Sequence, residues 1–237
     1  SLAPISQLFG IAKDIPIVVS GAGPSLYESL DDIKKYRDRF ILIAVDTALH
    51  ILTGAGIEPD LIYSVDPQAL NSSYLEGYSG SGYIVFDPTS SYHTLRLSDK
   101  FKTGFFTSSP FPLLQIYTKH LSVKAGDIPF GGSVSTNAVS LAELMGASNV
   151  YFVGQDLAFT GGYAHCRGAI LEERLNFKES RYFRREKHNY NQLTALPKLK
   201  SIGYDGEEYH SNEKMQIFQK WFADRASGRN WINLSNK

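Results

Sequence analysis

One cysteine, Cys166, stands in a chain of 237 residues. That scarcity excludes an internal disulfide framework, argues against a cysteine-ligated zinc site, and suits a reducing, cytoplasmic setting. Long apolar runs are missing too. None approaches the roughly 20 residues that span a bilayer, and no basic-then-apolar leader opens the chain. Excess charge is absent, with 24 Lys and Arg against 24 Asp and Glu, so bulk electrostatics does not favour a nucleic-acid partner. Several signatures are lacking as well. There is no G-x-x-x-x-G-K-[ST] phosphate loop and no G-x-S-x-G elbow, which excludes a P-loop and disfavours a serine hydrolase. Gln68 stands two residues after Asp66, so a D-x-D metal motif is missing there.

What is present describes a globular α/β chain, with 43% hydrophobic and 20% charged residues. Apolar, β-branched runs predict buried strands at Ile15–Ser20, Phe40–Asp46, Pro59–Asp66, Gly82–Asp87, Lys102–Ser109 and Asn149–Asp156, with "NWINLS" as a last strand. Helical spacing falls between them. Leu26, Leu30, Ile33 and Arg37 follow a Ser25/Glu28 capping box, and Ala138, Leu141, Ala142 and Met145 share one face. Glu213–Ala226 is a further amphipathic helix, with Ile217, Trp221 and Phe222 as its expected buried residues. This alternation implies a Rossmann-like, mostly parallel sheet with helices on both faces. About 159–200 the rhythm fails, and a basic, partly helical insertion is expected. No repeat or linker divides the chain, so 1–237 reads as a single nucleotide-binding domain, and its abrupt ends suggest a piece of something longer.

In such a sheet, ligands bind beyond the carboxyl ends of the strands. The polar residues there are Gly21-Ala22-Gly23-Pro24-Ser25, Asp46, Asp66, Asp87 and Gln155-Asp156. The glycine turn begins like G-x-G-x-x-G, but Leu26 replaces the third glycine, which weakens a dinucleotide reading. Two readings stay open. Its backbone N–H groups could cradle an anion at a helix start, or it could be a tight turn capped by Ser25. A second glycine turn brings Ser133, Ser135 and Thr136 to a helix start, either as caps or as ribose and phosphate contacts. Asp46, Asp66 and Asp156 could hold magnesium or a ligand hydroxyl, or cap the following helices. His50, His93 and His120 read as structural or solvated. His165 and His210 are candidate bases because imidazole titrates near neutrality. Arg167, Arg174, Arg181, Arg184, Arg185 and Lys187 give the insertion a positive balance that suits an anionic substrate.

"VVSGAGPSL", "PDLIYSVDPQ", "GGSVSTNAVSLAELMGASNVYFVGQDLAFTGGYAHCRG" and "INLSN" resemble the domain of unknown function 115, or MptE-like, family. That family includes bacterial motility accessory factors (Maf) and domains similar to 6-hydroxymethyl-7,8-dihydropterin diphosphokinase. The framework is also similar to Campylobacter-type sialyltransferases, through the G-x-G-P-S-L turn, Gly154-Gln155-Asp156 and "YHSNEKMQIFQKWF". The resemblance implies a transferase whose donor is a CMP-activated nonulosonic acid and whose acceptor is flagellin. It implies His210 as base with His165 second, and Tyr163 assisting the departing phosphate. It implies nucleotide binding by Gly21, Ala22, Gly23, Pro24, Ser25, Asp46, Asp66, Ser133, Ser135, Gln155 and Asp156, with no metal required. The chain departs from the sialyltransferases at Ala22 and Asp46, where they carry asparagine, and at Ala158, where a tyrosine is expected. An ATP-dependent diphosphokinase using Mg2+ is one alternative, and a non-catalytic nucleotide- or flagellin-binding module is another.

Overall fold

The computed structural model describes residues 2–97, 104–109, 111–120, 124–160, 165–166, 169, 180–182, 199–203 and 205–235. The strands of the main sheet are β1 (Leu2–Pro4), β2 (Ile17–Ser20), β3 (Ile41–Val45), β4 (Leu61–Ser64), β5 (Tyr83–Phe86), β6 (Gly104–Phe106), β7 (Val150–Val153) and β10 (Trp231–Asn233). They form one eight-stranded sheet in the order β1-β6-β5-β4-β3-β2-β7-β10. Every pairing in it is parallel. The helices are α1 (Leu26–Lys35), α2 (Leu49–Gly54), α3 (Tyr92–Leu97), α4 (Pro112–His120), α5 (Val134–Leu144) and α6 (Glu213–Ala226).

The central strands read as continuous apolar runs because both faces are covered. Ile17, Val19, Ile43 and Tyr63 pack on one face against Ala138, Leu141 and Ala142 of α5 and Met145 just past its end. Val18, Leu42 and Ala44 pack on the other against Leu26 and Ile33 of α1 and Leu52 of α2. Each fully buried Leu or Ile contributes about 1.5–3 kcal/mol. The expected α/β fold is therefore observed, with strand ends up to three residues inside the expected bounds. Phe152, Phe222 and Trp231 meet edge-on at ring separations of 5.4–6.0 Å, which holds α6 against β7 and β10.

Three sequence expectations need correction. Ser25 makes no side-chain cap to α1; its hydroxyl instead donates to Asp156. Ile217 is 59% exposed, because α6 meets the sheet through Trp221 and Phe222 while Ile217 turns outward. His210, a candidate base that stands just before α6 in sequence, is not in a loop at that helix's start. It lies on β9 (Glu208–Ser211), paired antiparallel with β8 (Leu199–Ile202) in a separate hairpin. The expected insertion lies mostly outside the described residues, as does Tyr163.

Chain order creates the functional geometry. From β2 the chain steps outward through β3, β4, β5 and β6, then α5 returns it to β7 on the other side of β2. The β2/β7 boundary is thus the topological switch point. There the two strand ends are stitched together. The Gly21 and Gly23 N–H groups donate to the Val153 and Gly154 carbonyls, each at 2.8 Å. Gly154 adopts φ +62° to make this approach.

Adding a side chain at Gly154 brings its Cβ to 2.5 Å from the Gly21 carbonyl and 2.9 Å from the Leu26 Cβ. The left-handed conformation adds about 1–2 kcal/mol and overpacking about 1–3 kcal/mol. Gly154→Ala should therefore lower unfolding free energy in urea by about 2–5 kcal/mol. Gly54→Ala, in open space at the end of α2, should be neutral or slightly stabilising. Equal losses in the two variants would contradict the seam.

Candidate functional site

A crevice of about 850 Å³ opens beyond the carboxyl ends of β2, β3, β4, β5 and β7. Of the residues expected from sequence, Gly21, Ala22, Gly23, Asp46, Asp66, Ser133, Ser135, Gln155, Asp156 and His165 line it. Pro24, Ser25 and His210 do not. His210 is exposed on its hairpin, and its carbonyl accepts from the Phe159 N–H. His50, His93 and His120 also lie outside the lining.

Most amides of the glycine turn are engaged within the fold. The amides of Gly21 and Gly23 are taken by β7, and that of Ser25 by the Asp156 carboxylate at 3.2 Å. The two glycines are required by this packing. A Cβ on Gly21 would fall on the Gly154 carbonyl, and one on Gly23 on the Asp156 carboxylate. The turn contributes acceptors instead. The Cys166 N–H donates to the Ala22 carbonyl at 2.8 Å, and the Cys166 thiol lies 3.3 Å from the Gly23 carbonyl. These two contacts anchor Cys166 in the core, and His165 beside it is delivered to the crevice.

The His165 ring has no hydrogen-bond partner among the described residues. Burial, with the Lys214 charge adding, pushes its pKa below the ordinary histidine value, so it is neutral at pH 7. A neutral ring in a crevice can accept a proton.

The open donors sit at two helix starts. Helices leave their first-turn N–H groups without intrahelical acceptors. In α5, the Ser133 hydroxyl accepts from the Thr136 N–H, and the Thr136 hydroxyl accepts in turn from the Ser133 N–H. In α6, the Asn212 side chain accepts from the Met215 N–H at 2.9 Å. The amides of Val134, Ser135, Glu213 and Lys214 remain without acceptors among the described residues. Ser135 is further fixed by donating its hydroxyl to the Gln155 side chain.

Carboxylates line another part of the wall. Asp46 is buried, accepting from the Ser64 hydroxyl at 2.7 Å and the Thr47 N–H at 2.8 Å. Burial pushes its pKa up to about 7, with the Asp66 charge adding to the rise against those two bonds. Asp66 and Asp87 accept locally from the Gln68 and Thr89 N–H groups. Among the described residues, no group of three or more His, Cys, Asp or Glu is placed to hold a metal ion.

Sequence reasoning missed Lys214, Asn212, Phe218, Phe111 and Phe130, all of which line the crevice. Lys214 had a readable signal. A cation in the first turn of a helix opposes the helix dipole and calls for an explanation.

The model of the family described as 6-hydroxymethylpterin diphosphokinase MptE-like matches residues 1–162. Three uncharacterized proteins of Treponema pallidum (strain Nichols) are similar in sequence. One is 40% identical over 67 residues, covering 28% of this chain and 17% of its own length. Another is 33% identical over 92 residues, covering 39% and 41%. The third is 25% identical over 187 residues, covering 75% and 31%. This chain thus spans well under half of each relative. Among solved structures, a Maf glycosyltransferase from Magnetospirillum magneticum AMB-1 shares the fold with a TM-score of 0.65 at 18% identity, over 96% of this chain and 35% of that one.

The raised Asp46 pKa makes a stability prediction. The unfolded carboxyl ionises near 3.8 and the folded one near 7, so between these values the folded state binds more protons. Its contribution is fully present below pH 3.8 and is lost as pH rises to 7. Asp46→Asn should remove that loss. Its melting temperature relative to wild type should climb from pH 4 to 7 and then level off. A pH-independent difference would show that Asp46 ionises normally.

Proposed function

The chain belongs to the MptE-like family, and from that premise we propose that it is a glycosyltransferase-like domain. Its donor is a CMP-activated nonulosonic acid, and its acceptor is a serine or threonine hydroxyl of flagellin. The observation that carries this reading is one crevice lined both by His165, whose ring has no hydrogen-bond partner among the described residues, and by the starts of α5 and α6.

His165, rather than His210, is the base. It takes the acceptor hydroxyl proton as the acceptor oxygen bonds to the anomeric carbon. The bond from that carbon to the phosphate oxygen breaks, and its electron pair leaves with CMP. Open first-turn amides are fixed donors toward the departing phosphate, which can meet its charge without a metal. Ser133 and Ser135 shape the start of α5, while Asp46 and Asp66 offer acceptors to ribose or sugar hydroxyls. The fold shared with the Maf glycosyltransferase supports this reading.

A second reading is an ATP-dependent pterin diphosphokinase with Mg2+. The family description and the Asp46, Asp66 and Asp87 carboxylates along the crevice favour it.

A thermal-shift panel of CMP, CDP, ATP with Mg2+ and a CMP-nonulosonic acid separates the two. The proposal expects the CMP ligands to raise the melting temperature and ATP with Mg2+ to do little. Transfer by His165→Asn should fall about 10²–10⁴-fold, the usual worth of a general base. His210→Asn should stay near wild type. Stabilisation by ATP with Mg2+ alone would favour the diphosphokinase, and full activity of His165→Asn would remove its role.

A further inference from the structure

The first turn of α6 carries an exposed cation, Lys214, at the mouth of the crevice. Lys214 lines the crevice and forms no salt bridge among the described residues. Its ammonium lies 5.8 Å from the centre of the Phe218 ring, one turn along the same helix, and Phe218 also lines the crevice. A lysine here works against the dipole of a 14-residue helix. Glu213 beside it and the Phe218 ring offset part of that cost, but no carboxylate among the described residues pairs with the ammonium. The His165 ring lines the same cavity and feels the Lys214 charge. Among the described residues, the other charged groups facing the crevice are Asp46, Asp66, Asp87 and Asp156. Asp66 and Asp87 accept from nearby backbone amides, Asp156 is engaged by Ser25, and Asp46 is bonded to Ser64 and Thr47.

We propose that Lys214, the open first-turn amides of α6 and the His165 ring form one subsite for a phosphate monoester. The assignment rests on the glycosyl-transfer reading above and locates the leaving group within it. The chemistry explains the placement. A nucleotide-sugar phosphodiester carries one negative charge, and the monoester released from it carries up to two. A cation and two amides bind the second charge more strongly than the first, so the subsite favours the transition state over the bound donor. The proton taken by His165 from the acceptor then rests beside the new dianion, which offsets its repulsion from Lys214.

Binding of CMP to the intact chain, measured by calorimetry at pH 7 in two phosphate-free buffers of different ionisation enthalpy, tests this. Cytidine lacks the phosphate, and free sialic acid has a carboxylate in place of it. Lys214→Met should weaken CMP binding about ten- to hundredfold, the range of a charged hydrogen bond, and leave cytidine unchanged. Wild type should take up protons on binding CMP, and His165→Asn should not. Lys214→Gln should match Lys214→Met, and far-UV dichroism should show both folded. Wild-type affinity for CMP in both lysine variants would remove the subsite while leaving the donor reading intact. Loss confined to sialic acid would reassign the site to the sugar carboxylate and overturn the phosphate assignment. A wild-type chain that binds no nucleotide would remove the donor reading and the subsite with it.

Discussion

The seam between the ends of β2 and β7 governs the rest of the molecule. Two backbone hydrogen bonds, from Gly21 to Val153 and from Gly23 to Gly154, close the point where the sheet reverses direction. The Asp156 carboxylate locks the seam by accepting from both the amide and the hydroxyl of Ser25. Space is so short that neither Gly21 nor Gly23 could carry a methyl group without displacing the Gly154–Asp156 segment that follows β7. Glycine here serves close packing of two strand ends. The turn spends its donors sideways and has few left for a ligand.

That constraint moves the ligand chemistry elsewhere. Open donors lie at the starts of α5 and α6, and the acceptors of the same turn hold Cys166 so that His165 enters the crevice. Carboxylates follow β3, β4, β5 and β7, while Lys214 lines the wall at the start of α6. The proposed donor would turn its phosphate toward the helix starts.

Much of this was legible in the sequence. The central strands announced themselves as unbroken apolar runs because both faces of the sheet are covered. Helix α5 showed through Ala138, Leu141, Ala142 and Met145, and the crevice followed from the rule that ligands sit beyond parallel strand ends. Other features were hidden for physical reasons. Gly21-Ala22-Gly23 reads the same whether its amides face a ligand or a neighbouring strand, since glycine type does not record bond direction. His210 looked well placed because it precedes α6, yet β8 and β9 pair and carry it onto an exposed hairpin. Those strands have four residues each, too few for alternation to stand out. His165 gained its position from the anchoring of its neighbour Cys166, a contact spanning 143 residues that no local pattern reveals.

The glycine turn serves as a structural seam, and the proposed phosphate subsite lies at the start of α6. A crystal structure of the complex with CMP tests both. Phosphate oxygens are expected within hydrogen-bond distance of Lys214 and His165, with the amides of Gly21 and Gly23 still bonded to the Val153 and Gly154 carbonyls. Phosphate seated on those two amides, with the seam opened to free them, would contradict both.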